Sequence, residues 1–202
     1  MEERLRQGDE EALAALFSRH RERLWRIARF RLPAKLRGRV DPDDVLQDAY
    51  LAAVQRLEHY EGGSPFLWLR LVVNQTLVDL YRRHLGAQMR DAGREVAIQG
   101  GSYSQATSAS VAIQLVGDLT SPSQAAVRAE TLDMVERAID GMDPVDREVL
   151  ALRHFEELDN GEVAEALGIQ PKAASIRYVR AIRRLKNLLS DVPGLADEMR
   201  HA

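Results

Sequence analysis

Three features of this 202-residue chain predict an all-α protein made of two small helical domains joined by a long linker. Apolar residues recur at three- and four-residue spacing through most of both halves. Capping residues and prolines punctuate those stretches. From about Asp91 to Gln124 both signals fade. No strand pattern of any strength competes with the helical one, and no internal repeat is found. A chain of this length can bury one or two cores of useful size.

The elements follow in order. From Glu11 to Arg31, Leu13, Leu16, Phe17, Leu24 and Ile27 recur at helical spacing with arginines between them. Asp41 followed by Pro42 reads as an N-cap and a first-turn proline, opening a helix that carries Val45, Leu46, Ala49, Val54 and Leu57. Gly62-Gly63 breaks it and Ser64-Pro65 repeats the cap-and-proline signal. The next helix carries Phe66, Leu69, Val73, Leu77 and Leu80 and ends near Gly86. These three helices make an N-terminal domain over residues 1–90. Residues 91–123 have the glycine, serine and threonine content of an interdomain linker, in which Val111, Ile113, Leu115 and Val116 are candidates for a short docked element. The C-terminal domain, residues 124–192, begins with a helix through Val127, Leu132, Val135 and Ile139 to Gly141. A second helix opens at Asp143-Pro144 with Val149 and Leu152. Asn160 is read as the cap of a short helix, Gly161 to Leu167, and Pro171 opens a long one to about Ser190. Residues 193–202 read as a tail.

Composition removes several classes of function. The chain has no cysteine, which excludes disulfides, thiolate zinc sites and cysteine nucleophiles. His20, His59, His84, His154 and His201 form no cluster with carboxylates in the sequence, so no catalytic residue, metal or cofactor is expected. The charged start, Met1-Glu2-Glu3-Arg4, has no apolar run behind it, and the apolar runs Phe66–Leu69 and Leu71–Val73 are split by Arg70. Neither a secretory signal nor a membrane span is expected, and the expected location is the cytoplasm. The net charge of −3 argues against a nucleic-acid binder until it is divided along the chain. Residues 1–40 carry +5, 41–61 −5, 62–85 +2, 86–127 −1, 128–168 −8 and 169–202 +4. Charge acts over roughly a Debye length of about 8–10 Å, so such blocks make separate surfaces for separate partners.

The strongest local motif is Glu162 to Ile169 followed by Pro171 to Lys186: a short helix, a turn at Gly168 and a longer helix, the pattern of a helix-turn-helix. Ala174, Tyr178, Ala181 and Leu185 form one face of the longer helix, to pack against Ala164 and Leu167. Lys172, Arg177, Arg180, Arg183, Arg184 and Lys186 supply positive charge, with no acidic residue between Pro171 and Ser190. In such a motif the start of the second helix meets base edges in the major groove. That assigns Lys172, Ala173, Ser175 and Ile176 to the bases, Arg177 and Arg180 to bases or phosphates, and Arg184 to the backbone.

At this point the chain resembles a family, the extracytoplasmic-function (ECF) sigma factors of the bacterial sigma-70 superfamily. The resemblance covers roughly residues 5–85 and 128–190. It rests on Gln7-Gly8-Asp9-Glu10-Glu11-Ala12, on Asp43-Asp44-Val45-Leu46-Gln47-Asp48-Ala49-Tyr50, on Phe66-Leu67-Trp68-Leu69-Arg70 leading to Asn74, Asp79, Arg82 and Arg83, and on Val179 to Leu185. It implies a non-enzymatic promoter-specificity subunit whose N-terminal domain is like sigma region 2 and whose C-terminal domain is like sigma region 4. The implied partners are core RNA polymerase, through the clamp and flap of its large subunits, and promoter DNA. An anti-sigma factor is a further candidate partner, as is a shielding role for the −8 segment before the recognition helix.

By that resemblance Asp44, Gln47 and Asp48, at i, i+3 and i+4 on one helix face, dock on the clamp of the largest polymerase subunit. The segment Tyr60 to Arg83 resembles the part that opens and reads the −10 element, with Tyr60, Trp68, Asn74, Arg82 and Arg83 as its contacts. The position of Trp68 is largely one of packing in the family. The loop from Tyr60 to Ser64 is the implied receiver of a flipped base. The C-terminal helix-turn-helix is the implied reader of the −35 element. Two departures stand out. Pro171-Lys172-Ala173-Ala174 replaces the family's usual entry to the recognition helix, and Ile176 takes the place of a usually polar residue, suited to contact with a thymine methyl group. The linker is also long for the family. A free-standing dimeric helix-turn-helix regulator is the alternative.

Overall fold

Four aspartates start four of the helices. Asp9 accepts from the backbone N–H of Ala12, Asp41 from that of Asp43, Asp143 from that of Val145 and Asp159 from that of Glu162. Each satisfies a donor that would otherwise have no partner within its helix. The computed structural model describes residues 1–32, 36, 38–89, 111–112 and 125–190. The chain divides into two compact units, Met1–Ser104 and Gln105–Ala202, and the division falls inside the stretch read as linker. Of the short docked element expected there, Val111 and Ala112 are helical and buried. The rest of that stretch up to residue 124, and the tail, lie outside the described residues.

The N-terminal unit contains α1 (Glu2–Arg6), α2 (Glu10–Arg31), α3 (Pro42–Arg56), a 3-10 turn (Leu57–His59) and α4 (Pro65–Met89). Helix α4 packs on both α2 and α3, and those two pack on each other. Leu13, Leu24 and Ile27 of α2, Val45, Ala49 and Ala53 of α3, and Leu69, Val73 and Leu77 of α4 fill the shared core. Helix α1 has no counterpart in the sequence reading. A five-residue helix with the single apolar residue Leu5 carries no periodicity to detect, yet Leu5 is fully buried and Arg4 pairs with the α2 cap, Asp9, at 2.6 Å.

The C-terminal unit contains α5 (Ala125–Asp140), α6 (Pro144–Leu150), a π-helical turn (Ala151–Phe155), α7 (Asn160–Leu167) and α8 (Pro171–Ser190). Helices α5, α6 and α7 all pack on α8. Among the described residues there is no β-sheet, and the fold is all-α as expected. The cap of α7 is Asp159, not Asn160. Asp159 and Glu162 form a reciprocal capping box, while the Asn160 amide donates to the Pro171 carbonyl at 2.8 Å and ties α7 to the first residue of α8. The π-helical turn was also unforeseen. It widens the end of α6, with Leu152 and Leu158 in the core; Glu156 caps it and the next residue, Glu157, has φ +54°.

Gly168 ends α7 with φ +63° and has open space where a Cβ would stand. Gly168→Ala is therefore expected to cost about 1 kcal/mol through backbone strain alone. Asp159→Ala is expected to cost about the same through the lost cap. Denaturant midpoints of the full chain check both.

Candidate functional site

Three surfaces carry the residues singled out above. On α3, Asp44, Gln47 and Asp48 are all exposed along one face, and Leu51, a turn farther on, is 55% exposed. Helix arithmetic from Gln47 and Asp48 places Leu51 on that face, so the signal for it was present in the sequence. The neighbouring Asp43 is engaged inside the unit: its carboxylate accepts from Arg21 and, at 3.2 Å, from the Trp25 indole. The start of α3 is thereby tied to α2. Asp48 lies 3.4 Å from Arg83 of α4, joining two surfaces that the sequence treated separately. Both side chains are about half exposed, so the pair contributes at most about 1 kcal/mol.

The second surface is the loop Tyr60–Ser64 with the adjoining α4. Here the structure separates the five expected contacts. Arg82 and Arg83 are exposed at the far end of α4 and Trp68 is half-buried near its start. Tyr60 and Asn74 are interior residues, contrary to their expected exposure to a DNA strand. Tyr60 is 4% exposed; its ring meets Trp68 edge-on at 5.2 Å and its hydroxyl donates to the Gly63 carbonyl at 2.7 Å. It shapes the loop from within. Asn74 has no exposed surface, and neither its Oδ1 nor its Nδ2 has a hydrogen-bond partner. Its position follows from helical phase: it sits beside Val73 and one turn from Arg70 and Leu77, all on the packed side of α4.

The third surface is the exposed face of α8. Ala174 and Ala181 are fully buried, and their small side chains let the helix lie close against its neighbours. Facing outward are Lys172, Ser175, Ile176, Arg180, Arg183 and Arg184, while Ala173 and Arg177 are half-buried. Arg177 stands 3.9 Å from Asp146 of α6, and Arg184 donates to the Gly141 carbonyl at 2.9 Å. These two cations therefore brace the motif as well as adding charge. Val179 is 53% exposed and one turn from Ile176, which is 51% exposed, giving an apolar pair amid the arginines. Sequence reasoning picked out only the first of the pair.

Behind this helix His154 faces Tyr178, its Nε2 3.0 Å from the phenolic oxygen, while the Arg153 guanidinium lies over the Tyr178 ring. Partial burial, and secondarily the charge of Arg153, hold the His154 imidazole below its ordinary value of 6.5. Among the described residues no three His, Asp or Glu side chains gather so as to hold a metal ion. Among them, too, no helix is long and apolar enough to cross a membrane.

The sequence model of the ECF sigma factor family matches residues 2–189. The chain belongs to that family. Among its relatives, the RNA polymerase sigma factor CarQ of Myxococcus xanthus is 30% identical over 94% of this chain and 96% of that one. The ECF RNA polymerase sigma factor SigD of Mycobacterium tuberculosis is 28% identical over 89% of this chain and 78% of its own. The fold is similar to that of CnrH, solved in complex with the cytosolic domain of CnrY, with a TM-score of 0.51, 24% identity and 94% of each chain covered. This ECF sigma factor is an RNA polymerase subunit for transcription initiation, partnered by core polymerase and promoter DNA, and family members are initiation factors rather than enzymes. The alternative of a free-standing regulator is thereby set aside.

Two outcomes follow from the interior groups of the sigma factor. Asn74→Leu removes two unpaired buried polar atoms while keeping the same branched shape and is expected to stabilise the N-terminal unit by about 1 kcal/mol, read from its denaturation midpoint. Because the folded value of His154 lies below 6.5, the unfolded chain takes up that proton first. Stability of the C-terminal unit is then full above pH 6.5 and falls as the pH drops through it. His154→Asn is expected to flatten this dependence in thermal unfolding followed across the same range.

Proposed function

We propose that the three surfaces divide the work of promoter recognition. The exposed α3 face, Asp44, Gln47 and Asp48, docks on the basic clamp of the largest polymerase subunit, with Leu51 as an apolar anchor one turn beyond them. Opposite charges at such a surface speed and orient the encounter, and an exposed apolar side chain amid polar ones is the kind of group that gains most from burial. The loop Tyr60–Ser64 with Trp68, Arg82 and Arg83 receives the non-template strand at −10. In this assignment Tyr60 positions the loop and Asn74 is a core residue.

Helix α8 enters the −35 major groove. Lys172, Ala173 and Ser175 approach base edges, and Ile176, with Val179 behind it, meets a thymine methyl group. Arg177, Arg180 and Arg184 hold phosphates or brace the helix, and the C-terminal unit also meets the flap. The sigma factor works in the cytoplasm, and the chemistry of RNA synthesis belongs to the polymerase. Its regulation by an anti-sigma factor is favoured by the likeness to CnrH, whose solved structure includes the cytosolic domain of CnrY.

The observation that carries this reading is the separation of charge between units: an exposed acidic face on α3 and an exposed basic, apolar-centred face on α8. Run-off transcription with core polymerase on genomic fragments tests it and yields the promoter motif. Asp44→Ala combined with Gln47→Ala is expected to weaken binding to core polymerase about tenfold, a loss of about 1.4 kcal/mol, without changing the folded content of the chain. Unchanged core affinity would refute the docking assignment.

A further inference from the structure

The loop that leads into α4 is held by the N-terminus of the chain. Arg6, the last residue of α1, lays its guanidinium against the bare backbone of Gly62. A Cβ at that position would collide with Nη2 and stand 2.8 Å from both Cζ and Nε. Gly62 and Gly63 have φ of +116° and +88°, a backbone open to glycine and strained for other residues. Glu2 completes a strap: its Oε1 accepts from Arg6 Nη2 at 2.9 Å and from the Gly63 N–H at 3.3 Å. Helix α1 also packs on the 3-10 turn that precedes the loop.

The arrangement has an electrostatic consequence. The chain entering the loop carries the exposed carboxylates of Glu58 and Glu61, which repel a phosphate. Arg6 brings a positive charge onto the glycines between these carboxylates and α4. Its side chain and that of Glu2 are each 47% exposed, and an ion pair so well solvated is weak and readily exchanged. A guanidinium has five N–H donors, so donors remain for a second anion while one contacts Glu2.

We propose that Arg6 is a contact for single-stranded DNA: as the non-template strand enters the Tyr60–Ser64 loop, its guanidinium exchanges the Glu2 carboxylate for a strand phosphate. The proposal rests on the assignment of that loop to the −10 element. In the free protein the Glu2 carboxylate holds the cation at Gly62 and competes with a phosphate for it. Helix α1 then belongs to the promoter-opening surface, through two residues that helical periodicity does not mark.

The test uses the full chain assembled with core RNA polymerase. The probe is the non-template single strand of a genomic fragment that supports run-off transcription, titrated over a range of salt concentrations. Arg6→Gln is expected to weaken binding about tenfold at low salt and to reduce the slope of log affinity against log salt by about 0.7, the share of one phosphate on a single strand. Arg6→Lys keeps the slope. Glu2→Gln removes the charge that competes for the cation but keeps the cation, and it is expected to bind the strand at least as tightly as the parent. Equal weakening by Glu2→Gln and Arg6→Gln with an unchanged slope overturns the proposal, leaving the strap a structural clasp. Arg82→Gln with Arg83→Gln separates the two assignments. If that pair weakens strand binding and Arg6→Gln does not, the role of Arg6 alone is refuted. If neither does, the −10 assignment falls with it.

Discussion

Burial of α4 on two sides is the constraint from which the N-terminal unit follows. Phe66, Leu67, Leu69, Val72, Val73, Leu77 and Leu80 are all buried, and the helix packs on both α2 and α3. Burying a large apolar side chain stabilises by about 1.5–3 kcal/mol, so these positions dominate the unit. They also take with them the polar groups that share their faces: Arg70, Asn74 and Thr76 are buried, and Thr76 is satisfied only by turning its hydroxyl back to the Val72 carbonyl at 3.0 Å. A helix consumed this way has polar surface to offer mainly at its ends. The loop before it and Arg82 and Arg83 near its far end are where a nucleic acid finds exposed groups.

The C-terminal unit solves a different problem. Helix α8 must pack closely on three neighbours and still leave a broad face outward. Ala174 and Ala181 allow the close approach because they bring little bulk to the contact, Arg177 and Arg184 bond from the edges of α8 to α6 and to the turn at Gly141, and Asn160 of α7 bonds to its first residue. The basic residues are thus of two kinds. Some brace the motif, and Lys172, Arg180 and Arg183 stand exposed on it. The net charge of −3 concealed this, because the positive block on α8 is offset by acidic residues on the helices that support it.

Much of the architecture was legible because its signals are local. An aspartate before a proline starts a helix at Asp41 and again at Asp143, for the same reason each time: the carboxylate accepts a first-turn N–H and the proline needs none. The α3 face was legible because residues at i, i+3 and i+4 share a side on any helix. What escaped was non-local or non-periodic. Helix α1 is held by one leucine and by ion pairs. The cap of α7 was displaced by one residue because Asp159 and Asn160 are both good caps; the Glu162 that completes a capping box three residues after Asp159 and the bond of Asn160 to Pro171 decide between them. The π-helical turn answers to the packing of Leu152 and Leu158.

The candidate sites divide along the same line. The order of the sequence alone determined the family, the all-α class and the residue types at each surface, since caps, prolines, helical spacing and motif order are written along the chain. Tertiary structure decided which of those residues reach solvent. Asn74 is hidden because it shares the packed side of α4 and Tyr60 because its ring lies against Trp68, Leu51 and Val179 are exposed because no described element covers α3 or α8 there, and Arg6 meets Gly62 because folding closes a gap of more than fifty residues. Exposure and contact between distant residues depend on how helices pack, and no local pattern records that.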